Sequence, residues 1–180
     1  MHGMIFGRLK QFVESQMGPE AWPALLADAG IGDKIYLASS AYPDSEIVAL
    51  VRTASAKTGI PAASLLEAFG EYLVPAYLGM YGHLVKPDWR ALDLIEHTEE
   101  TIHKVVRVRN PGAAPPVLHV TRISPSELRL EYGSERKLCA VARGIMKGVA
   151  AHYKDHLDIT ESACMHKGAP ACIMHVRASA

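Results

Sequence analysis

Tyr132, Ser134 and Arg136 stand at alternate positions in the run Glu131-Tyr-Gly-Ser-Glu-Arg-Lys137. Along an extended backbone, alternate side chains point to the same side, so the three can address one target. Tyrosine and serine each supply a hydroxyl donor. Arginine supplies a rigid guanidinium fork that grips carboxylates and phosphates through paired bonds. A ligand with two nearby carboxylates suits this set. A plainer use of the same residues is capping at a strand-to-helix junction. Ser134 with Lys137 at the third position, however, lacks the acidic half of a capping box.

The elements that must position these residues are legible from periodicity. Phe6 to Met17, Trp22 to Ala29, Asp44 to Thr58 and Ala62 to Leu78 are apolar-periodic stretches separated by Gly and Pro, which predicts helices. Pro43 and Pro61 mark two of the starts. Pro87-Asp-Trp-Arg opens a further helix to about Val108, closed by Asn110-Pro111-Gly112. The second half changes character. Val117 to Arg122 and Leu128 to Tyr132 read as a hairpin, Lys137 to His152 as a helix, and Leu157 to Ala163 with Cys172 to Arg177 as a second hairpin. The order is α+β: a helical N-terminal half, then hairpin, helix and hairpin forming a small antiparallel sheet.

Bulk properties narrow the function. The chain has 180 residues, 49% apolar and 21% charged, ordinary for one globular unit with a real core. Its 19 Lys plus Arg balance its 19 Asp plus Glu, so net charge favours neither nucleic acid nor an anionic membrane. The first ten residues hold too short an apolar run for a signal peptide, and no segment reaches membrane-span length. A cytoplasmic protein is expected.

Two further groups could do chemistry. On a helix advancing about 100° per residue, Leu92, Ile95, Ile102 and Val106 share an apolar face, His103 flanks it at about 80° from Ile95, and His97 at about 200° points to water. Glu99 falls near the apolar face and interrupts it. A lone histidine on such a flank is ordinarily a hydrogen-bonded core residue. Cys139, Cys164 and Cys172 all lie in the second half. In a cytosolic chain three cysteines suggest metal before disulfide, and zinc would take a fourth ligand from Glu161, His166 or His175. Free thiols, with a reversible Cys164–Cys172 disulfide, are the alternative.

The Tyr132-x-Ser134-x-Arg136 run preceded by His103 resembles the haem nitric-oxide/oxygen-binding (H-NOX) family, stand-alone bacterial type. The resemblance extends to Met1-His-Gly-Met-Ile-Phe, Phe69-Gly70, Leu92-Asp93, Pro111-Gly112, Pro115-Pro116 and Gly144-Ile145, in the expected order along essentially the whole chain. It implies one haem-binding gas-sensor domain over residues 1–180, with haem b as cofactor. It makes His103 the proximal iron ligand, Pro116 the residue that presses on the haem, and Tyr132, Ser134 and Arg136 the propionate clamp. Ile5, Leu9, Leu73, Val141 and Ile145 would line the distal pocket. Some members carry a Cys/His zinc site in this region, with a histidine where Glu161 stands.

Bound oxygen carries partial negative charge and benefits from a hydrogen-bond donor. Oxygen-binding relatives place a tyrosine five residues after the clamp arginine, where this chain has Val141. The resemblance therefore implies a nitric oxide sensor. Nitric oxide would weaken or break the His103–iron bond, and the resulting shift would regulate a separate partner such as a histidine kinase or a cyclic-di-GMP enzyme. Two other classes compete: a haem-free small-molecule regulator, and a zinc or thiol protein using Cys139, Cys164 and Cys172. The chain has no His-Glu-x-x-His or Gly-x-Ser-x-Gly spacing, so enzymatic activity is not expected.

Overall fold

A computed structural model describes residues 1–110 and 112–179. Helices α1 (Gly3–Met17), α2 (Ala21–Asp28), α3 (Asp44–Thr58) and α4 (Ala62–Tyr81) build the first half. α3 follows Pro43, carries Asp44 and Glu46 in its first turn, where the helix dipole favours acids, and ends at left-handed Gly59. α5 (Ala91–Thr98) runs on through a π-helical turn, Glu99–His103, into α6 (Lys104–Arg109). The helix closes near its expected end at Asn110; Pro111, the next residue of that stop signal, lies outside the described residues.

The second half is β1 (Val117–Ser124), β2 (Glu127–Gly133), α7 (Cys139–Tyr153), β3 (His156–Ala163) and β4 (Cys172–Ser179). The strands form one antiparallel sheet in the order β1-β2-β4-β3, with Leu118 opposite Tyr132 and Tyr132 opposite Cys172. β2 alternates half-buried and buried residues, so Leu128, Leu130 and Tyr132 face inward. This is the α+β architecture expected from the order of elements.

Two apolar cores result. α5 and α7 pack on the sheet, joining Leu92, Leu94, Ile95, Met146 and Val149 to Leu128, Leu130, Met174 and Val176. The other core joins Phe6, Leu9, Trp22, Leu26, Leu50, Phe69 and Leu73 from α1 to α4. α4 serves both: Leu73 faces one core and Val74 the other.

Two expectations change. The alternation of Tyr132, Ser134 and Arg136 along a strand stops at Gly133, because the Lys137 amide donates to Ser134 O at 3.1 Å and closes a turn. Lys137 takes a left-handed φ of 51°, and α7 starts at Cys139 rather than Lys137. His97 does not point to water; its ring stacks on Trp89 at 4.6 Å and its Nδ1 lies 2.8 Å from Asp93 O.

α4 and α7 meet almost backbone to backbone. A Cβ at Gly144 would lie 1.9 Å from Glu67 O, and one at Gly70 would lie 2.3 Å from Val141 O. Only glycine fits either position. Gly144→Ala should therefore destabilise by about 1–3 kcal/mol through overpacking, or roughly 2–12 °C in Tm for a chain of this size. Thermal unfolding followed by circular dichroism checks this, and an unchanged Tm would contradict the close approach.

Candidate functional site

His103 closes the π-helical turn, where the Lys104 amide reaches back to Glu99 O. Such turns are frequent at functional sites. The wider turn also breaks the 100° phase beyond Thr98, which is why Glu99 seemed to interrupt an apolar face. Its carboxylate in fact faces His103: Oε2 lies 2.9 Å from Nδ1. The Leu118 amide donates to the same Oε2 at 3.2 Å, and Arg107 Nη2 donates to Oε1 at 2.6 Å. The Pro116 carbonyl lies beside the ring, so Pro116 and His103 do come together.

The electrostatics of this pair select one protonation state. Burial pushes His103 below the ordinary imidazole range, outweighing the opposite pull of Glu99. Burial alone would raise Glu99, but the contacts from His103 and Arg107 hold it below the usual carboxylate range. A neutral imidazole beside an ionised carboxylate must donate Nδ1–H, which leaves the lone pair on Nε2. A neutral ring with a free lone pair is what a metal ligand requires.

The Tyr132, Ser134 and Arg136 group lies at the end of β2 and in the turn that follows. Tyr132 is buried, and burial pushes its phenol up to about 12, with the Ser134 side chain hydrogen-bonded to it. Ser134 Oγ also accepts from the Arg136 amide at 3.3 Å. Arg136 donates through Nε to Asp44 Oδ2 at 2.9 Å and through Nη1 to Ala114 O at 2.6 Å. Its guanidinium thus already holds a carboxylate, through one bond rather than the paired grip expected for an acidic ligand.

Ile5, Leu9, Leu73 and Val141 share the first-half core, whereas Ile145 packs against the sheet-side core. Tyr77 packs in the first-half core too, and burial raises its phenol well above the ordinary value. Sequence reading missed both Tyr77 and Glu99. Tyr77 sits at helical spacing among apolar residues, so pattern alone could not mark it, whereas Glu99 showed only as a polar break in an apolar face, with no sign of its partner.

The three cysteines are brought together. One ligand atom each from Cys139, Glu161, Cys164 and Cys172 lies within 4.8 Å of all the others. The thiols are buried, and burial raises Cys139 and pushes Cys172 up to about 12. Glu161 Oε1 is buried with no hydrogen-bond partner among the described residues, while Arg143 Nη1 lies 3.5 Å from Oε2. Of the three candidate fourth ligands only Glu161 joins the cluster. His166 Nε2 sits 2.8 Å from Lys137 O, and His175 pairs with Glu127 at 3.4 Å.

Comparisons with known proteins identify the fold. The family model described as Haem-NO-binding matches residues 2–161. An H-NOX protein from S. oneidensis, solved in the Fe(II)NO ligation state, superposes with a TM-score of 0.93 at 26% identity, covering 100% of both chains. The Shewanella oneidensis H-NOX domain in the Fe(II)CO ligation state superposes at 0.88 with 26% identity, covering 99% of each chain. The unliganded Fe(II) H-NOX protein from K. algicida has the same fold, with a TM-score of 0.89 at 21% identity over 100% of this chain and 97% of that one. No curated protein sequence matches the chain.

Asp44 offers a pH test of the Arg136 environment. Burial would raise its carboxyl, but bonds from the N-terminal amine and Arg136 hold it below the ordinary value. A depressed carboxyl stabilises the fold above its unfolded pKa and loses that contribution as pH falls through the folded value. Asp44→Asn should therefore be less stable than wild type near pH 7 and converge with it at an acid pH below the depressed folded value. Urea midpoints at the two pH values measure the gap, which should not persist in acid.

Proposed function

The chain belongs to the haem-NO-binding (H-NOX) family of haem-based gas sensors, and on that premise we propose that it is a single-domain nitric oxide sensor without catalytic activity. The observation that carries the reading is His103: a neutral imidazole whose Nδ1 side is taken by Glu99, leaving Nε2 for a metal. Haem b, when bound, supplies a ferrous iron that takes up the gas. His103 would hold that iron. Arg136, Ser134 and Tyr132 would hold the propionates, with Arg136 exchanging or sharing Asp44 for a propionate carboxylate. Pro116, beside the His103 ring, would press on the haem.

The distal side is assigned to Ile5, Leu9, Leu73, Val141 and Ile145, all apolar, which gives bound oxygen no donor from these positions. Release of His103 would free the helix running from Ala91 to Arg109, and a separate signalling protein, such as a histidine kinase or cyclic-di-GMP enzyme, would respond. No helix among the described residues is long and apolar enough to cross a membrane, which is compatible with a cytoplasmic sensor.

An absorption spectrum of the reduced protein tests this directly. The expected result is a strong Soret band that shifts with nitric oxide and not under air, and that is lost in His103→Ala unless imidazole is added. Absence of a Soret band after reconstitution with haem would overturn the reading. A stable oxygen complex under air would favour a second one, in which the Tyr77 phenol, packed among the same apolar residues, supplies the missing donor.

We assign zinc to the thiol cluster, with Cys139, Cys164, Cys172 and Glu161 as ligands. Three thiols and a carboxylate within 4.8 Å, one carboxylate oxygen being buried and without a partner among the described residues, suit a closed tetrahedral site. Its role would be structural, tying the β3–β4 hairpin to α7. Elemental analysis should find zinc at about one equivalent per chain, lost in Cys172→Ala. A metal-free wild-type protein purified without chelators would leave the thiols free instead.

A further inference from the structure

We infer that Glu99 is a positioning residue for His103, one that selects the ring nitrogen offered to iron and carries any movement of the ring into the sheet. The inference rests on the haem reading proposed above. Its basis is one half-buried carboxylate with three partners on three different elements. Glu99 Oε2 takes His103 Nδ1 at 2.9 Å within the π-helical turn and the Leu118 amide at 3.2 Å on β1. Oε1 takes Arg107 Nη2 at 2.6 Å on α6.

The chemistry follows from the acceptor. An ionised carboxylate has no proton to give, so the ring nitrogen facing it must be the protonated one. The opposite nitrogen then carries the lone pair. A carboxylate behind a metal-bound imidazole also makes the ring a stronger donor than a neutral acceptor would, because it stabilises positive charge on the ring. Arg107 moderates this by drawing on the same carboxylate. An exposed i,i+4 pair on a helix would be worth little. Here, by contrast, the His103 side chain is only 14% exposed and Glu99 24%, and a backbone amide of a neighbouring strand completes the set.

That amide provides the route for coupling. Leu118 is paired with Tyr132 across β1 and β2, and Tyr132 is the first residue of the Tyr-Ser-Arg group. Arg107 Nη2 also lies 3.5 Å from the carbonyl of Pro116. If His103 shifts, Glu99 must either follow it and pull on β1, or stay with β1 and release the ring. The first outcome carries the ring's movement into the strand pair that holds the candidate propionate contacts, and the second uncouples the two. A partner confined to the same helix would make no connection to β1.

The test compares wild type with Glu99→Gln, Glu99→Leu and Arg107→Ala. Resonance Raman of the reduced haem protein should show the iron–histidine stretching band moving to lower wavenumber in Glu99→Gln, and further in Glu99→Leu. In Arg107→Ala it should move to higher wavenumber, since the carboxylate is then undivided. Haem affinity should fall by about 10- to 100-fold in Glu99→Leu, the usual cost of removing such a partner. Nitrogen-15 NMR of the haem-free full chain reads the ring separately: His103 should be protonated at Nδ1 in wild type and become a tautomer mixture in Glu99→Leu. An unmoved iron–histidine band in both Glu99 variants, or an unchanged tautomer, would overturn the role of Glu99. A wild-type protein that binds haem without any iron–histidine band would instead overturn the ligand assignment, and the NMR result would still decide the tautomer.

Discussion

The structure depends first on how closely α4 and α7 approach. With no side chain at Gly70 or Gly144, each helix brings its backbone against the carbonyls of the other. Close packing of that kind leaves no soft layer between the helical half and the sheet half. The consequence is that α4 can serve two cores at once, with Leu73 in one and Val74 in the other. A third glycine tightens the same contact, since a Cβ at Gly148 would lie 2.6 Å from Val74 Cγ2. The apolar residues assigned to the distal side hang on this contact, because Leu73 and Val141 reach their positions from the two helices it joins.

The other organising feature is a charge inside a half-buried helix face. A carboxylate there is costly unless it is fully engaged. Glu99 meets that condition through an imidazole, a guanidinium and a backbone amide. The π-helical turn makes the arrangement possible by widening the helix where these partners converge. The helix is therefore not a uniform rod but two α-helical pieces joined where the candidate iron ligand sits. The same pattern of a polar group satisfied by distant elements recurs at Asp44, which the N-terminal amine and Arg136 share across the fold.

β2 and β4 bring the two candidate sites into contact. Tyr132 at the end of β2 lies opposite Leu118 on one side and opposite Cys172 on the other. Its phenol is raised chiefly by burial, and the thiols of Cys139 and Cys172 add to the effect. The thiol cluster and the Tyr-Ser-Arg group are thus neighbours across one strand pair rather than separate ornaments. Family membership and fold are established by the match over residues 2–161 and by full-length superposition on H-NOX proteins.

Much of the architecture could be read from the chain alone, because it depends on local pattern. Pro43, Pro61, Gly59 and the 3.6-residue apolar period delimit α3 and α4, and alternation marks β2, since these signals act within a few residues. The Tyr-Ser-Arg run and the three cysteines stood out for the same reason: their chemistry is in the residue types. Tertiary structure decided the rest. It placed Glu161 rather than His166 or His175 beside the thiols, because strand register and a hairpin bulge are not visible in spacing. It stacked His97 on Trp89 and turned Glu99 toward His103, because a π-helical turn shifts the phase on which any periodicity argument relies. Sequence determines which groups exist and which elements carry them, whereas their partners come from contacts between residues far apart in the chain.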